Sequence, residues 1–147
     1  MIGLDLVLIL VLVGLDQWVK VLVSTHFAEG SLHVLIPGVL GLTNLHNNGA
    51  AWSMLAGQQG FFAILTIVVL IVLGYLLWRY RKQRWLSIAL SLMTAGAIGN
   101  FIDRMLQGYV VDMFQLLPVY FPVFNVADSC LTIGVIILIV LVLREDD

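Results

Sequence analysis

Four segments of this chain are long and apolar enough to cross a bilayer, and that property removes most alternative folds. A hydrocarbon core takes about 20 apolar residues per helix, with about 17 as the lower end. The first segment runs from about Gly3 to Ser24 and contains Asp16 and Lys20. The second, Phe61 to Trp78, holds no charge. The third, Trp85 to Ile102, is also uncharged and runs on into Asp103-Arg104, so that it covers 85–104. The fourth runs from about Val123 to Leu143, with Asp128 near its start. Hydrophobic residues are 61% of the chain and charged residues 11%, against ~45–50% and ~25% in soluble domains. A soluble globule of this composition could not cover its own core. The net charge of −2 leaves no electrostatic footprint for nucleic acid. The expected fold is therefore all-α: four transmembrane helices forming one integral membrane domain, 1–147.

The first segment is expected to be a retained span and not a secretory signal. It has no basic n-region, its apolar stretch is too long, and two charges lie inside it. Four of the seven basic residues, Arg79, Arg81, Lys82 and Arg84, crowd the connection between the second and third segments. The positive-inside rule puts that connection, and with it both termini, in the cytoplasm, and Trp78 and Trp85 flank it as interfacial aromatics. The connections Thr25–Gly60 and Leu106–Pro122 then face outward. In the first of them, Leu32–Ile36 and Val39–Leu42 are β-prone runs around Pro37-Gly38, a pair suited to the centre of a type II turn. In the second, Gly108 and Pro118 are the expected breaks, with Asp112 in a loop between them.

In a membrane protein the informative residues are the costly ones, because a carboxylate at mid-span depth costs about 2.5–3.5 kcal/mol. Five of the seven aspartates, Asp5, Asp16, Asp103, Asp112 and Asp128, lie in or beside the spans. Asp16 and Lys20 share a helix face in the order that favours pairing; the plainest reading is an ion pair between helices or a snorkelling anchor. Asn100, Asp103 and Arg104 follow i, i+3, i+4 and form a polar stripe. Ala95 and Gly99, four apart, permit close helix approach or line a lateral access route. Asn125, Asp128 and Thr132 form a second stripe, in which Asn125 also reads as an N-cap and Asp128 as a first-turn acid favoured by the helix dipole. Asp112 sits among apolar neighbours, and Leu45 to Ser53 adds amides and small residues on the same side.

Several acids and amides therefore converge at one membrane face. Two carboxylates a few ångströms apart resist joint ionisation, so one holds a proton while the other remains a base. Such a pair can activate water against an amide. No metal or other cofactor is implied: His26, His33 and His46 lack ligand spacing, and the single cysteine, Cys130, excludes a disulfide within the chain and reads as packing. Ser–His catalysis is unsupported, since His46 has no evident Ser partner.

Five stretches taken in order resemble the bacterial lipoprotein signal peptidases (signal peptidase II). They are Asp16-Gln17-Trp18-Val19-Lys20, Asn47-Asn48-Gly49-Ala50-Ala51-Trp52-Ser53, Gly99-Asn100-Phe101-Ile102-Asp103-Arg104, Val110-Val111-Asp112 and Phe124-Asn125-Val126-Ala127-Asp128. The resemblance implies an aspartyl protease of the bacterial cytoplasmic (inner) membrane, with its site at the extracytoplasmic face. Such an enzyme removes signal peptides from diacylglyceryl-modified prolipoproteins by cutting before the lipidated cysteine. It places the catalytic dyad on Asp112 and Asp128, sets Asn47, Asn100, Arg104 and Asn125 around the substrate or dyad, and makes Asp16, Lys20 and Asp103 supporting residues. It also implies a membrane-surface cradle built from the β-prone segment. Trp52 and Met113 depart from the family's usual Phe at those places, and Asp103, with Arg104 beside it, is a rival to Asp112 for the first catalytic role. The expected partners are prolipoprotein substrates and membrane lipids, with no nucleic acid, and the chain is expected to act as a monomer. The contrasting readings are a small proton-coupled transporter, which would need acids at several depths, and a non-enzymatic assembly subunit whose polar stripes serve only helix association.

Overall fold

The computed structural model describes residues 2–49 and 57–145. The element order is α1 (Ile2–His26), β1 (Leu32–Ile36), β2 (Leu40–Asn47), α2 (Gln59–Arg79), α3 (Arg84–Gln107), β3 (Val110–Leu116) and α4 (Val126–Glu145). All four helices have the length and hydropathy of membrane spans, and a small antiparallel sheet in the order β1-β2-β3 accompanies them. The stretch Ala50-Ala51-Trp52-Ser53 singled out in the sequence lies outside the described residues, as do Asp146 and Asp147.

Helix α3 is the axis of the bundle. More than half of its span is buried, 56%, against 11% for α2, and it packs on α1, α2 and α4. The small residues of the third segment make this possible. A Cβ added to Gly96 would run into the Ala127 carbonyl oxygen, and one added to Gly99 would stand 2.6 Å from Asp16 Oδ2. From the facing side, a Cβ on Gly134 would meet the Ala89 carbonyl oxygen at 2.7 Å. The stripe around Ala95–Gly99 is thus helix packing, and its alternative as the lining of a lateral access route is set aside. The outward faces of the other helices, Leu10, Ile64, Ile71 and Ile136 among them, are exposed apolar surface, as a lipid environment requires.

The helix ends explain where the spans stop. Gly108 adopts a left-handed φ of 78°, and its N–H donates to the Arg104 carbonyl, closing α3 as an αL cap does. Helix α4 begins at Val126 and not at Val123 because Asn125 and Asp128 cap it reciprocally. The Asp128 N–H donates to Asn125 Oδ1 at 2.8 Å, and the Asn125 N–H donates to Asp128 Oδ2 at 3.2 Å. That is a capping box built from an amide and a carboxylate.

The hairpin turn is the one that Pro37-Gly38 specifies: Gly38 has φ 69° and the Val39 N–H donates to the Ile36 carbonyl, the type II arrangement. The second connection differs from the expected loop. Asp112 lies on a strand, β3, opposite Leu45 of β2. Alternation along β3 sends Val111 and Met113 into a small core with Val23 of α1, while Val110, Asp112 and Leu116 face the opposite side and line a cavity. Met113 is fully buried there, so its departure from the family's Phe is accommodated by packing under the sheet.

Candidate active site

Asp112 and Asp128 reach one cavity from different elements. Strand alternation aims Asp112, and the first turn of α4 presents Asp128 with Ser129, Thr132 and Ile133 beside it. The cavity measures about 540 Å³ and also receives Asn47 from the end of β2 and Asn100 and Arg104 from the last turns of α3. Its remaining wall is largely apolar, with Leu116 and Phe121 to Phe124 contributing.

Amide donors hold both carboxylates. Asn125, which has no exposed surface, donates from Nδ2 to Asp112 Oδ1 at 2.7 Å and from its backbone N–H to Asp128 Oδ2 at 3.2 Å. One residue therefore bridges the two acids. Asn47 Nδ2 donates to Asp112 Oδ2 at 2.9 Å, and Asn100 Nδ2 donates to Asp128 Oδ1 at 2.7 Å. Burial, and then the charge of Asp128, push the Asp112 carboxyl up to about 7, while the Asn47 and Asn125 donors and the more distant Lys20 pull the other way. A carboxyl at that value exchanges its proton near neutral pH.

A second cluster lies behind the first. Lys20 Nζ is 2.8 Å from Asp16 Oδ2 and 3.1 Å from Asp103 Oδ2, with all three side chains almost fully buried. Asp16 Oδ1 accepts the Ala127 N–H at 2.8 Å, and Asp103 Oδ2 accepts the Val111 N–H at 3.1 Å. Ala127 and Val111 are the residues immediately before Asp128 and Asp112. The cluster therefore grips the backbone on which each cavity acid is mounted. Lys20 also donates to Asn100 Oδ1 at 3.2 Å, as does Asn125 Nδ2 at 3.1 Å. With its oxygen so engaged, the Asn100 amide must present its NH₂ to Asp128.

Six of the nine singled-out residues, Asn47, Asn100, Arg104, Asp112, Asn125 and Asp128, meet at or directly beneath the cavity. Asp16, Lys20 and Asp103 do not line it. The stripe Asn100, Asp103 and Arg104 divides, because α3 lies between neighbours: Asp103 turns to α1, Asn100 to α4, and Arg104 to the cavity. Asp103 is neutralised by Lys20 and not by the adjacent Arg104. The Arg104 guanidinium stands 4.9 Å over the Phe62 ring of α2 and donates from Nη2 to the Gly49 carbonyl at 3.3 Å. Gln17 is a site residue that residue-by-residue reading missed. Its Nε2 donates to Asp103 Oδ1 at 2.9 Å and to the Gly99 carbonyl at 3.2 Å. Its position three residues before Lys20, on the same helix face, was the available signal.

Fold and site together define a multi-pass membrane protein in which a buried and a partly buried carboxylate share one cavity at the end of a four-helix bundle. Comparison with known proteins agrees with that class and narrows it. The signal peptidase (SPase) II family profile matches residues 8–144. The lipoprotein signal peptidase of Lactiplantibacillus plantarum is 53% identical over 141 residues, covering 96% of this chain and 95% of that protein. That of Enterococcus faecalis is 54% identical over 136 residues, covering 91% and 84%. A bacterial membrane enzyme solved by the in meso method at 2.3 Å superposes with a TM-score of 0.93 at 40% identity, covering 100% of this chain and 92% of that one. A second, at 1.9 Å, gives 0.89 at 40% identity, covering 99% and 96%. This chain belongs to the signal peptidase II family, a family of aspartic peptidases of the bacterial membrane. Membership in a peptidase family displaces the transporter and assembly-subunit readings.

Proposed function

We propose that the protein removes the signal peptide from diacylglyceryl-modified prolipoproteins, cutting before the lipidated cysteine, and that Asp112 and Asp128 form its catalytic dyad. The observation that carries the dyad is the bridge made by Asn125, which donates to both carboxylates within one cavity. Asp112, with its carboxyl near 7, holds the proton, and Asp128 is the base. Asp128 takes a proton from water, the water oxygen bonds to the scissile carbonyl carbon, and the Asp112 proton passes to the carbonyl oxygen. In the resulting diol, the proton on Asp128 moves to the amide nitrogen. The C–N bond then breaks, the cysteine amine departs, and Asp112 recovers a proton from a diol hydroxyl. Amide groups pre-aimed at the acids need no reorganisation as charge moves between them.

Asn47, Asn100 and Asn125 orient the dyad in this reading, and Arg104 faces the substrate backbone across the cavity. Asp103, neutralised by Lys20 and turned from the cavity, is a supporting residue and leaves the first catalytic role to Asp112. Asp16, Lys20 and Asp103 keep α4 and β3 in register. The chain acts as a single membrane domain and as a monomer. In this reading both termini are cytoplasmic and the cavity opens at the outer face, supported by the even number of spans and the basic connection after α2. Substrate lipid and signal helix approach sideways from the bilayer, since the wall formed by Phe121–Phe124 and Ile133 is apolar.

A gel-shift cleavage assay with a diacylglyceryl-modified prolipoprotein, run beside Asp112→Asn, tests the reading. Cleavage by the native protein alone is expected, with a loss of at least about 100-fold in the variant. Cleavage by both would move the first catalytic role to another acid, with Asp103 next. Cleavage by neither, on confirmed lipidated substrate, would refute the reaction.

A further inference from the structure

At the opposite end of the bundle from the dyad there is a second cavity, also of about 540 Å³. It is a groove in which α2 and α4 stand on either side of α3. Leu86 and Leu90 of α3 form its floor, and Leu76 of α2 and Leu138 of α4 form its walls. Gln83 and Arg84 stand at one end, with Trp85 beside them. Nothing in the cleavage reaction uses this groove.

Its charged lining is cationic. Arg84 lines it, and Arg79, Arg81 and Lys82 belong to the same short connection. Two of these cations are already engaged: Arg79 lies 5.4 Å over the Tyr80 ring, and Arg81 lies 5.4 Å over the Trp78 ring and donates to the Trp78 carbonyl. Lys82 and Arg84 are exposed. The first turn of α3 carries no acid, and Gln83 makes no side-chain cap, so the positive end of that helix adds to the field. Trp78 and Trp85 are both more than half exposed. Such aromatics settle at headgroup depth, which sets the Lys82–Arg84 end of the groove level with lipid phosphates and its leucines level with acyl chains.

We infer that this groove binds an anionic phospholipid of the cytoplasmic leaflet, with the phosphate against Arg84 and Lys82 and one acyl chain along Leu86, Leu90 and Leu138. Basic pockets between transmembrane helices on the cytoplasmic side recognise such headgroups. An apolar trough on its own would accept any lipid; the cations at its mouth select the anionic class. The competing anion is the chain's own Glu145-Asp146-Asp147, which follows Arg144 in sequence.

The test is retention of dioleoylphosphatidylglycerol against dioleoylphosphatidylcholine by the purified full-length protein, followed by native mass spectrometry. Cleavage of the lipidated substrate, run in parallel, reports folding and is separate from the lipid readout. Each cation near an anionic headgroup contributes about fivefold, so Lys82→Gln/Arg84→Gln should weaken phosphatidylglycerol retention by about 30-fold. Phosphatidylcholine retention should stay unchanged and cleavage intact. Leu138→Trp, which fills the groove, should lower phosphatidylglycerol retention with both cations present. Equal retention of the two lipids by the native protein would overturn the inference, as would insensitivity to either variant. A chain ending at Arg144 should bind phosphatidylglycerol as the full chain does; marked tightening would make the acidic end the occupant and also overturn it.

Discussion

Asn47→Ala should shift the alkaline side of the cleavage pH profile upward, and the structure sets how far. The proposed reaction needs Asp112 protonated, and its carboxyl lies near 7 because burial and the Asp128 charge raise it against the pull of two amide donors. Asn47 Nδ2, 2.9 Å from Asp112 Oδ2, is one of those donors. It favours the carboxylate, so removing it favours the acid. A hydrogen bond to a charged group is worth about 1.5–3 kcal/mol, and one pKa unit is about 1.4 kcal/mol, so the shift should be about 1–2 units. At pH 8 the native Asp112 is roughly one-tenth protonated, whereas a carboxyl raised to 8 or above is about half protonated or more. Activity at pH 8 relative to the optimum should therefore rise about fivefold in the variant.

The maximum rate itself should fall, because Asn47 Oδ1 also accepts the Gly49 N–H at 3.0 Å and the turn after β2 loses that support. The quantity to read is thus the shape of the normalised profile, measured by gel-shift cleavage from pH 5 to pH 9. An alkaline limb that stays in place or moves toward acid would show that the Asp112 proton does not govern it, and the assignment of acid and base would be wrong.

Lys20→Met leaves Asp16 and Asp103 buried without their cation, which should cost about 3–5 kcal/mol; thermal unfolding in detergent should show it. Adding Asp16→Asn and Asp103→Asn should recover part of that loss, and a further drop would refute the ion-pair account. Gly96→Ala drives a methyl against the Ala127 carbonyl and should destabilise by about 1–3 kcal/mol. Gly74→Ala meets open space on α2 and should be neutral or stabilising by up to about 1 kcal/mol, so similar melting shifts for the two would contradict the packing described. In a Cys130→Ala background, cysteines at Lys82 and Ser31 test orientation: a membrane-impermeant maleimide on intact cells should label only the one at residue 31, and the reverse pattern would invert the topology.

Much of this protein is determined by local rules that operate along the chain. Twenty-residue apolar runs become helices because only a helix satisfies its backbone within the bilayer. Pro37-Gly38 makes its turn because only glycine accepts φ 69° there without strain. Asp16 and Lys20 pair because residues four apart share a helix face, and Asn125 caps α4 because its amide lies within reach of the first free N–H groups. The motif order was enough to name the family.

Long-range placement was decided by the tertiary structure. Asp112 reads as a loop residue because Val110–Leu116 becomes a strand only when β2 supplies the partner for its hydrogen bonds. The rivalry of Asp103 and Asp112 could not be resolved from spacing, since both acids lie close in sequence to the outer end of the third span. The packing of α1 against α3 gives Asp103 to Lys20 and Gln17, and strand alternation turns Asp112 into the cavity; that placement is what the proposed dyad rests on. The shared Asn125 bridge is likewise invisible in one dimension. A capping box fixes only the start of a helix, and it becomes part of a two-carboxylate centre only because β3 is folded against that same turn.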